Sequence, residues 1–334
     1  MKKSTKIIAA TLIVLLTILA LAFMIGGYVN RFTSSSTTSP EDEFLHCLTD
    51  RECEEKALTI SRCPSTGMCA ANKKCEFSCI PLPDENTVRP DENGSLGAVK
   101  IANWNLQVFG KTKASDDVLM RFYASKIRNY DIIFVQEIRD ATGTAFPALC
   151  ALLTDDGYAC ENSSRAGRSS SKEQYGVIYS LKRNVSITEF TDFNPDPADR
   201  WERPPLLVAF EVNNYSLLTY NVHTKPEDVT NELRQLEQLV DSDEGNVVIL
   251  GDLNADCDYY NPETGNEFRD GFNWIVKDDD DTTVSATDCA YDRIILNDDS
   301  YQEFVSYGID AEGITKDVSD HYLAWIELTE PLAG

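Results

Sequence analysis

The chain has 334 residues, 42% of them hydrophobic, so it is long enough for one large domain or two smaller ones around a substantial core. Its 55 acidic and 30 basic residues give a formal net charge of −25 at pH 7. Because a charge of this sign repels polyanions, composition alone argues against a nucleic-acid function and against unspecific binding to acidic membranes.

The first 31 residues are typical of a membrane anchor. Three lysines among the first six residues precede 23 uncharged residues, Ile7 to Val29. As a helix rising about 1.5 Å per residue, this run spans a hydrocarbon layer of roughly 30 Å, whereas a cleaved signal peptide usually has a shorter apolar region. The pattern Ala20-Leu21-Ala22 leaves cleavage and secretion as the alternative. In both cases the positive-inside rule sends the rest of the chain out of the cytoplasm.

A Ser/Thr-rich linker at residues 32–42 leads into a cysteine-rich segment at residues 43–82. Six of the ten cysteines lie in this segment: Cys47, Cys53, Cys63, Cys69, Cys75 and Cys79. In an oxidising compartment such density predicts a small disulfide-stapled module, although the sequence leaves its pairing and its partner open. Zinc is the competing interpretation, but His46 is the only nearby imidazole. A rigid spacer is favoured over a binding module, and residues 83–97 form a second linker.

Short apolar runs bounded by turn residues predict a mixed α/β domain over residues 98–330. The expected strands are Val99–Trp104, Ile132–Gln136, Val177–Ser180, Leu206–Val212, Leu217–Val222, Val247–Leu250, Arg293–Leu296 and Tyr322–Leu328. Ser115 is expected to cap one helix, with Val118, Phe122 and Ile127 on its buried face. A second helix is expected from about Thr230 to Val240. Two cysteine pairs, Cys150 with Cys160 and Cys257 with Cys289, are candidate disulfides of this domain.

Polar residues follow several of these strands at the point where each strand ends. Glu137 and His223 directly follow predicted strands, Asp252 follows another strand after Gly251, and His321 stands just before the last strand. Since strand side chains alternate, Asp252 and Asn254 point to the same side. Two of the three histidines of the chain lie at such positions. The pattern predicts a concave site assembled at one edge of the sheets.

Two imidazoles and several carboxylates, without an activated Ser or Cys, suit hydrolysis by activated water. A carboxylate beside each histidine fixes its tautomer and stabilises the imidazolium. Further carboxylates hold a divalent cation that neutralises phosphoryl oxygens, and hard oxygen ligands favour Mg²⁺, Mn²⁺ or Ca²⁺ over zinc. These residues therefore indicate metal-dependent hydrolysis of a phosphoester.

Five motifs resemble, in order, those of the endonuclease/exonuclease/phosphatase superfamily. They are Ile-Ala-Asn-Trp-Asn-Leu-Gln-Val-Phe-Gly-Lys-Thr-Lys (101–113), Gln-Glu-Ile-Arg-Asp (136–140), Gly-Asp-Leu-Asn-Ala-Asp-Cys (251–257), Cys-Ala-Tyr-Asp-Arg-Ile (289–294) and Ser-Asp-His-Tyr (319–322). The third and fourth motifs are similar to those of deoxyribonuclease I-like members. The resemblance covers residues 98–330 and implies a four-layer α/β/β/α sandwich.

The resemblance also implies roles for individual residues. The residues expected to bind or support the metal are Glu137, Asp320, Asp252 and Asn105, and those expected on the phosphate are Asn254 and Asn105. His321 paired with Asp292 would activate water, and His223 paired with Glu173 would protonate the leaving oxygen. Three arginines, Arg139, Arg168 and Arg203, fall where the family contacts DNA. The loop of Asp281, Thr283, Ser285 and Thr287 resembles a structural calcium site, and Cys257 and Cys289 fall on a family disulfide.

Two positions depart from the family pattern. Ser171 stands where a tyrosine often stacks in the minor groove, and Gln107 replaces an arginine. Loss of one stacking ring costs on the order of 1–3 kcal/mol of binding free energy by analogy with other base-stacking sites. The departures concern duplex affinity and cutting preference more than hydrolysis.

The resulting expectation is a monomeric, extracytoplasmic endonuclease that cuts DNA with Mg²⁺ (or Mn²⁺) and Ca²⁺ and is held at the membrane by its N-terminal helix. One alternative is a phosphodiesterase of the same fold acting on sphingomyelin or inositol phosphates, which the Cys-Ala-Tyr-Asp-Arg motif disfavours. The other is a non-catalytic surface binding protein, which the presence of both histidines and Glu137 disfavours. The net charge then excludes binding by bulk attraction alone and implies a dependence on metals and a few placed arginines.

Overall fold

The computed structural model describes residues 65–69, 75–79, 98–213 and 215–329. The expected anchor at residues 1–31, both linkers and most of the cysteine-rich segment lie outside these described residues. In the described part, no helix combines the length and the apolar character needed to cross a membrane. Strands β1 (Ser65–Cys69) and β2 (Cys75–Cys79) pair antiparallel, and they belong to a compact unit separate from the sheets that begin at Val99.

The main domain is built on two six-stranded sheets. Its strands are β3 (Val99–Phe109), β4 (Ile132–Ile138), β5 (Tyr158–Asn162), β6 (Gln174–Ser180), β7 (Val185–Asp192), β8 (Leu206–Val212), β9 (Tyr215–Asn221), β10 (Val247–Asp252), β11 (Phe272–Trp274), β12 (Asp292–Asn297), β13 (Phe304–Asp310) and β14 (Leu323–Leu328). The first sheet has the order β13-β14-β3-β4-β6-β5 and the second the order β11-β12-β10-β9-β8-β7. Each sheet contains one parallel pair, β3 with β4 and β9 with β10, and is otherwise antiparallel.

Helices cover the outer face of each sheet. They are α1 (Lys111–Ala114), α2 (Asp117–Ile127), α3 (Ala145–Ala151), α4 (Val229–Val240) and α5 (Asp298–Gln302), with short 3-10 turns at Leu181–Arg183 and Pro226–Asp228. Residues of α2 and α3 form one buried cluster with the outer face of the first sheet, and α4 forms another with the second sheet. A third cluster fills the space between the sheets. The layers are those of the α/β/β/α sandwich that the resemblance implies.

The strands that the sequence pattern misses share one property: all are edge strands. The eight expected strands are present, with ends shifted by up to five residues, whereas β5, β7, β11 and β13 were not expected. An edge strand has a neighbour on one side only and buries fewer side chains, so it lacks a continuous apolar run. In β7, for example, only Val185 is fully buried.

The first predicted helix is capped one residue later than expected. The Asp116 carboxylate accepts the backbone N–H groups of Val118 and Leu119, while Ser115 ends the preceding helix α1. Of the three residues expected on the buried face, Ile127 is buried, Phe122 is partly buried and Val118 is 36% exposed, while Met120 and Tyr123 are also buried. Helix α4 agrees with its pattern, since Leu233, Leu236 and Val240 are all buried.

Both candidate disulfides of the main domain are formed. Cys150 at the end of α3 bonds to Cys160 in β5, and Cys257 after β10 bonds to Cys289 before β12. The second bond closes a loop with a sequence separation of 32 residues, for which the loss of unfolded-chain entropy corresponds to about 3–4 kcal/mol. It also ties together the two segments that carry Asp252 and Asp292.

Candidate active site

The predicted site residues meet at one edge of the sandwich, where the carboxyl ends of the two parallel strand pairs lie. Asn105 comes from β3 and Glu137 from β4, while His223 follows β9 and Asp252 ends β10. Strands β12 and β14 run antiparallel to β10 and β3, so their first residues reach the same edge. Asp292 begins β12, and His321 lies just before β14.

Asp252 lies at the centre of the site. Its Oδ2 accepts a hydrogen bond from Asn105 Nδ2 at 3.0 Å and lies 3.2 Å from His223 Nε2 and 3.6 Å from His321 Nε2. Burial alone raises the pKa of this carboxyl group, but the two imidazoles and the Asn105 amide outweigh burial and lower the pKa below its usual value. The ionised form of Asp252 is therefore favoured, and both rings lie against the same oxygen, Oδ2.

His223 is held on its other side by Glu173. Its Nδ1 lies 2.6 Å from Glu173 Oε1, and the Arg203 guanidinium lies 3.5 Å from the same oxygen. Burial and Arg203 lower the pKa of His223, yet Glu173 and Asp252 raise it to a net value above the usual one. The Tyr175 hydroxyl accepts the backbone N–H of His223 at 3.0 Å and fixes the start of this segment.

His321 is held in the same way by Asp292. Its Nδ1 lies 2.7 Å from Asp292 Oδ2. Burial lowers the pKa of His321, but the carboxylates of Asp292, Asp252 and Asp320 raise it to about 10. The three carboxylates therefore favour the protonated form of the ring.

Hydrogen bonds to the backbone and a close approach of two strands at a glycine fix the positions of the two histidines. Trp104 Nε1 donates to the carbonyl oxygen of His321 at 3.0 Å, and the Ser319 hydroxyl donates to the Asn105 carbonyl at 2.6 Å. Next to His223, Gly251 has φ +146°, and a Cβ there would lie 1.8 Å from the Val222 carbonyl oxygen. Only glycine permits the close approach of β9 and β10 that brings His223 to Asp252.

Glu137 has a strained backbone and faces the same site. Its φ is +58°, a region that costs a non-glycine residue free energy, and its Oε2 accepts the Val108 N–H at 2.7 Å. Single ligand atoms of Glu137, Glu173 and His223 lie within 4.8 Å of one another, so the structure brings three groups of metal-ligating type together. Of the four expected metal ligands, only Glu137 belongs to this cluster. Asp320, with a side chain that is 48% exposed, lies 3.7 Å from His321 Nε2.

Asn254 is buried beside Asp252 in a left-handed conformation. Its φ is +47°, its backbone N–H lies 3.3 Å from Asp252 Oδ1, and its Nδ2 donates to the Thr224 carbonyl at 3.2 Å. The left-handed residue turns the chain after β10, so strand alternation does not determine its direction. Asn105 and Asn254 nevertheless both contact the Asp252 carboxylate, Asn105 at Oδ2 and Asn254 at Oδ1.

The three candidate DNA-contacting arginines have different surroundings. Arg139 is partly exposed and lies 3.8 Å from Glu137. Arg168 is engaged by Asp199 at 2.8 Å and by Glu202 at 3.6 Å. Arg203 is 13% exposed and donates to the carbonyl oxygens of His223 and Thr224. Arg203 thus forms part of the wall of the site, a contact that its position in the sequence did not reveal.

The expected calcium loop brings its oxygen atoms together. Thr283 Oγ1 lies 3.2 Å from Asp281 Oδ1, 3.2 Å from Ser285 Oγ and 3.2 Å from the Thr287 carbonyl. The loop is also joined to the site, because Thr283 forms a β-bridge with His321 and the Val284 N–H donates to the Asp320 carbonyl at 2.8 Å.

The raised pKa of His321 makes a prediction for the protein in EDTA. Because its folded pKa is above the unfolded value near 6.5, the stability that His321 contributes is complete below about pH 6.5 and is lost as the pH rises towards about 10. In ¹⁵N-histidine NMR, we expect the ring of His321 to stay protonated through pH 8 and to titrate at lower pH in Asp292→Asn. Titration of the parent ring near pH 6.5 would contradict the pairing.

The sequence of the chain is similar to that of known proteins. The model of the "Endonuclease/Exonuclease/phosphatase family" matches residues 102–321. Human deoxyribonuclease-1 is 31% identical over 257 residues, which cover 67% of this chain and 90% of that protein. The bovine deoxyribonuclease-1 is 29% identical over 263 residues, covering 70% of this chain and 93% of the relative.

Solved structures of low sequence identity share the fold. A humanized TDP2 of D. rerio superimposes with a TM-score of 0.53 at 16% identity, covering 70% of this chain and 99% of that one. A functionally unknown conserved protein from Enterococcus faecalis V583 gives 0.53 at 16% identity, with 70% and 100% coverage. On the family match and the identity to the deoxyribonucleases, this chain belongs to the endonuclease/exonuclease/phosphatase family as a deoxyribonuclease I-like member.

Proposed function

We propose that the chain is an extracytoplasmic, divalent-metal-dependent endonuclease that hydrolyses phosphodiester bonds in DNA. Family membership makes it a nuclease or phosphodiesterase, and the curated relatives are named as deoxyribonucleases. The observation that carries the proposal is the convergence of two imidazole–carboxylate pairs, His223 with Glu173 and His321 with Asp292, on the single carboxylate of Asp252.

In this proposal the two pairs divide the proton transfers. In its neutral form His321 accepts the proton of the attacking water while Asp292 stabilises the resulting imidazolium, and His223, oriented by Glu173, protonates the leaving oxygen. The Nδ1 atoms are held by carboxylates in both rings, so both Nε2 atoms are presented to the substrate. In-line displacement places the attacking water and the leaving oxygen on opposite sides of the phosphorus atom, so each ring would serve one of these two oxygens.

The oxygen-rich donor set fits a hard divalent cation such as Mg²⁺ or Mn²⁺. Glu137 is the group that we propose holds it, supported by Asp252, Asp320 and Asn105, because its carboxylate faces the site and lies within 4.8 Å of two further ligand-type groups. Such a cation would supply neutralisation of the charge that develops on the phosphoryl and leaving oxygens.

The amides of Asn105 and Asn254 are proposed to bind the scissile phosphate, since both flank Asp252 and an amide N–H donates to a phosphate oxygen without adding charge. For DNA we propose contacts from Arg139, Arg168 and Arg203. Arg139 is the most direct candidate, because Arg168 and Arg203 already donate to carboxylate or carbonyl oxygens of the protein. Weak contacts of this kind would make duplex affinity depend on salt.

An extracytoplasmic location is proposed from two features. The main domain contains two disulfides, which persist in oxidising compartments, and the N-terminal sequence is of the anchor or signal type. Whether membrane-anchored or secreted, the chain is proposed to act as a monomer.

Nicking of supercoiled plasmid tests the proposed site. We expect the purified chain to nick DNA with Mg²⁺ plus Ca²⁺ and to stop in EDTA. His223→Ala and His321→Ala should each lower the rate by about 10²–10⁴-fold, the usual contribution of a general acid or base. Glu312→Gln is the control for a removed charge, because its side chain is 80% exposed.

Two results would count against the proposal in different ways. DNA that stays intact under all metal conditions, with sphingomyelin hydrolysed instead, would replace the nuclease by the alternative phosphodiesterase. Nicking that survives both histidine substitutions would show that the site is elsewhere.

A substrate with a better leaving group separates the two histidine roles. Hydrolysis of a nucleotide p-nitrophenyl ester releases p-nitrophenolate, a stable anion that needs little protonation as it leaves. On this ester we expect His223→Ala to recover most of the parental rate while His321→Ala stays slow. Recovery by His321→Ala instead would exchange the two roles.

The loop of Asp281, Thr283, Ser285 and Thr287 is proposed to bind a structural Ca²⁺. At about 100-fold excess over its Kd, a ligand of the folded state adds about 3 kcal/mol to the free energy of unfolding. We expect Ca²⁺ to stabilise the parent and Asp279→Asn in urea unfolding, but not Asp281→Asn. Equal stabilisation of both variants would rule out this loop as the site.

A further inference from the structure

Three buried side-chain amides, here called the amide layer, lie one or two residues before site residues on their strands. Asn103 in β3 and Gln136 in β4 come from the first sheet, and Asn221 in β9 comes from the second. All three are fully buried. Two residues earlier on the first two of these strands, Ile101 and Phe134 belong to the apolar core between the sheets. The amide layer therefore separates this core from the site.

The amide layer is bonded to one of the catalytic pairs. Asn103 Nδ2 donates to Asp292 Oδ1 at 3.1 Å, and Asp292 Oδ2 lies 2.7 Å from His321 Nδ1. Behind it, Asn103 Oδ1 accepts hydrogen bonds from Gln136 Nε2 and, at 3.4 Å, from Asn221 Nδ2. An ionised carboxylate only accepts hydrogen bonds, so Asn103 presents its NH₂ group to Asp292 and its oxygen to the other two amides. Its orientation is thereby fixed.

The layer is unfavourable as a purely structural element. Among the described residues, Gln136 Oε1 and Asn221 Oδ1 are buried without a hydrogen-bond partner, and a buried acceptor without a partner costs free energy. Apolar side chains of similar volume would fill the same inter-sheet space without that cost. Gln136 and Asn221 both donate hydrogen bonds to Asn103, and Asn103 donates to Asp292. A benefit that offsets the cost is therefore expected at Asp292.

We propose that Asn103 is a positioning residue for the reaction, acting through Asp292 on His321. Asn103 Nδ2 fixes one oxygen of Asp292, so the other oxygen stays on His321 Nδ1 and the ring keeps its Nε2 towards Asp252. Gln136 and Asn221 hold Asn103 in turn. The inference rests on the proposed catalytic role of His321 and assigns it a support that the sequence motifs do not include.

Steady-state nicking by the full chain tests this role. Asn103→Leu removes the donor at similar volume and should lower kcat about 10- to 100-fold, as loss of an outer hydrogen-bond partner does in other sites. KM should not change, because Asn103 is fully buried. Asn103→Ser keeps a donor and should recover part of the rate. Thr219→Val is the matched control, since it removes a buried hydrogen bond to Val208 two residues before Asn221 and should leave kcat unchanged.

A double-mutant cycle separates positioning from general damage. In the Asp292→Asn background, Asn103→Leu should have almost no further effect on kcat, because its action passes through that carboxylate. The same loss in both backgrounds, or parental kcat in Asn103→Leu, would overturn the inference. If Asn103→Leu does not fold, Gln136→Leu makes the same test one bond further away. A parent chain that cuts no DNA would instead overturn the proposed function.

Discussion

Two imidazole rings share one buried carboxylate oxygen, Asp252 Oδ2, and the rest of the site is arranged around that contact. At an effective dielectric constant near 20, a charge pair at about 4 Å is worth about 4 kcal/mol, similar to the several kcal/mol that burial costs each ion. Pairing is therefore what allows these groups to stay charged. The carboxylates of Glu173, Asp252 and Asp292 face the imidazoles of His223 and His321 and the guanidinium of Arg203, so each buried carboxylate has a cationic or protonatable partner.

Both sheets contribute to this contact of the two imidazoles with Asp252, and they do so in the same way. Each contributes one parallel strand pair, and the carboxyl ends of both pairs reach the same edge. Gly251 lets β9 and β10 approach closely, and the Cys257–Cys289 disulfide joins the segments that follow β10 and precede β12. The site thus depends on the register of several strands. The apolar core supports it from below through the layer of Asn103, Gln136 and Asn221.

Sequence patterns predict much of this arrangement because they report burial. The central strands and α4 carry apolar runs with a clear period, and the polar residues that interrupt those runs are the ones found at the site. The four edge strands are missed because half-exposed strands lack that signal. Contacts between distant segments are also missed, such as Arg203 beside Glu173, since only the fold brings them together. The N-cap of α2 is Asp116 and not the predicted Ser115. Ser and Asp are equally favourable capping residues, so the sequence alone does not choose between these two neighbours.

Some of the acidic residues that make the net charge negative lie at the site. Asp252, Glu137 and Asp320 belong to the net charge of −25, yet in the proposed enzyme they are neutralised by imidazoles, an arginine and a divalent cation where phosphate must bind. The central claim, that Asp252 unites the two histidines into one catalytic unit, is tested most directly by plasmid nicking with Asp252→Asn, using the exposed Asp241→Asn as control. We expect loss of at least about 10²-fold in rate with the fold retained. Nicking by Asp252→Asn at the parental rate would contradict the account.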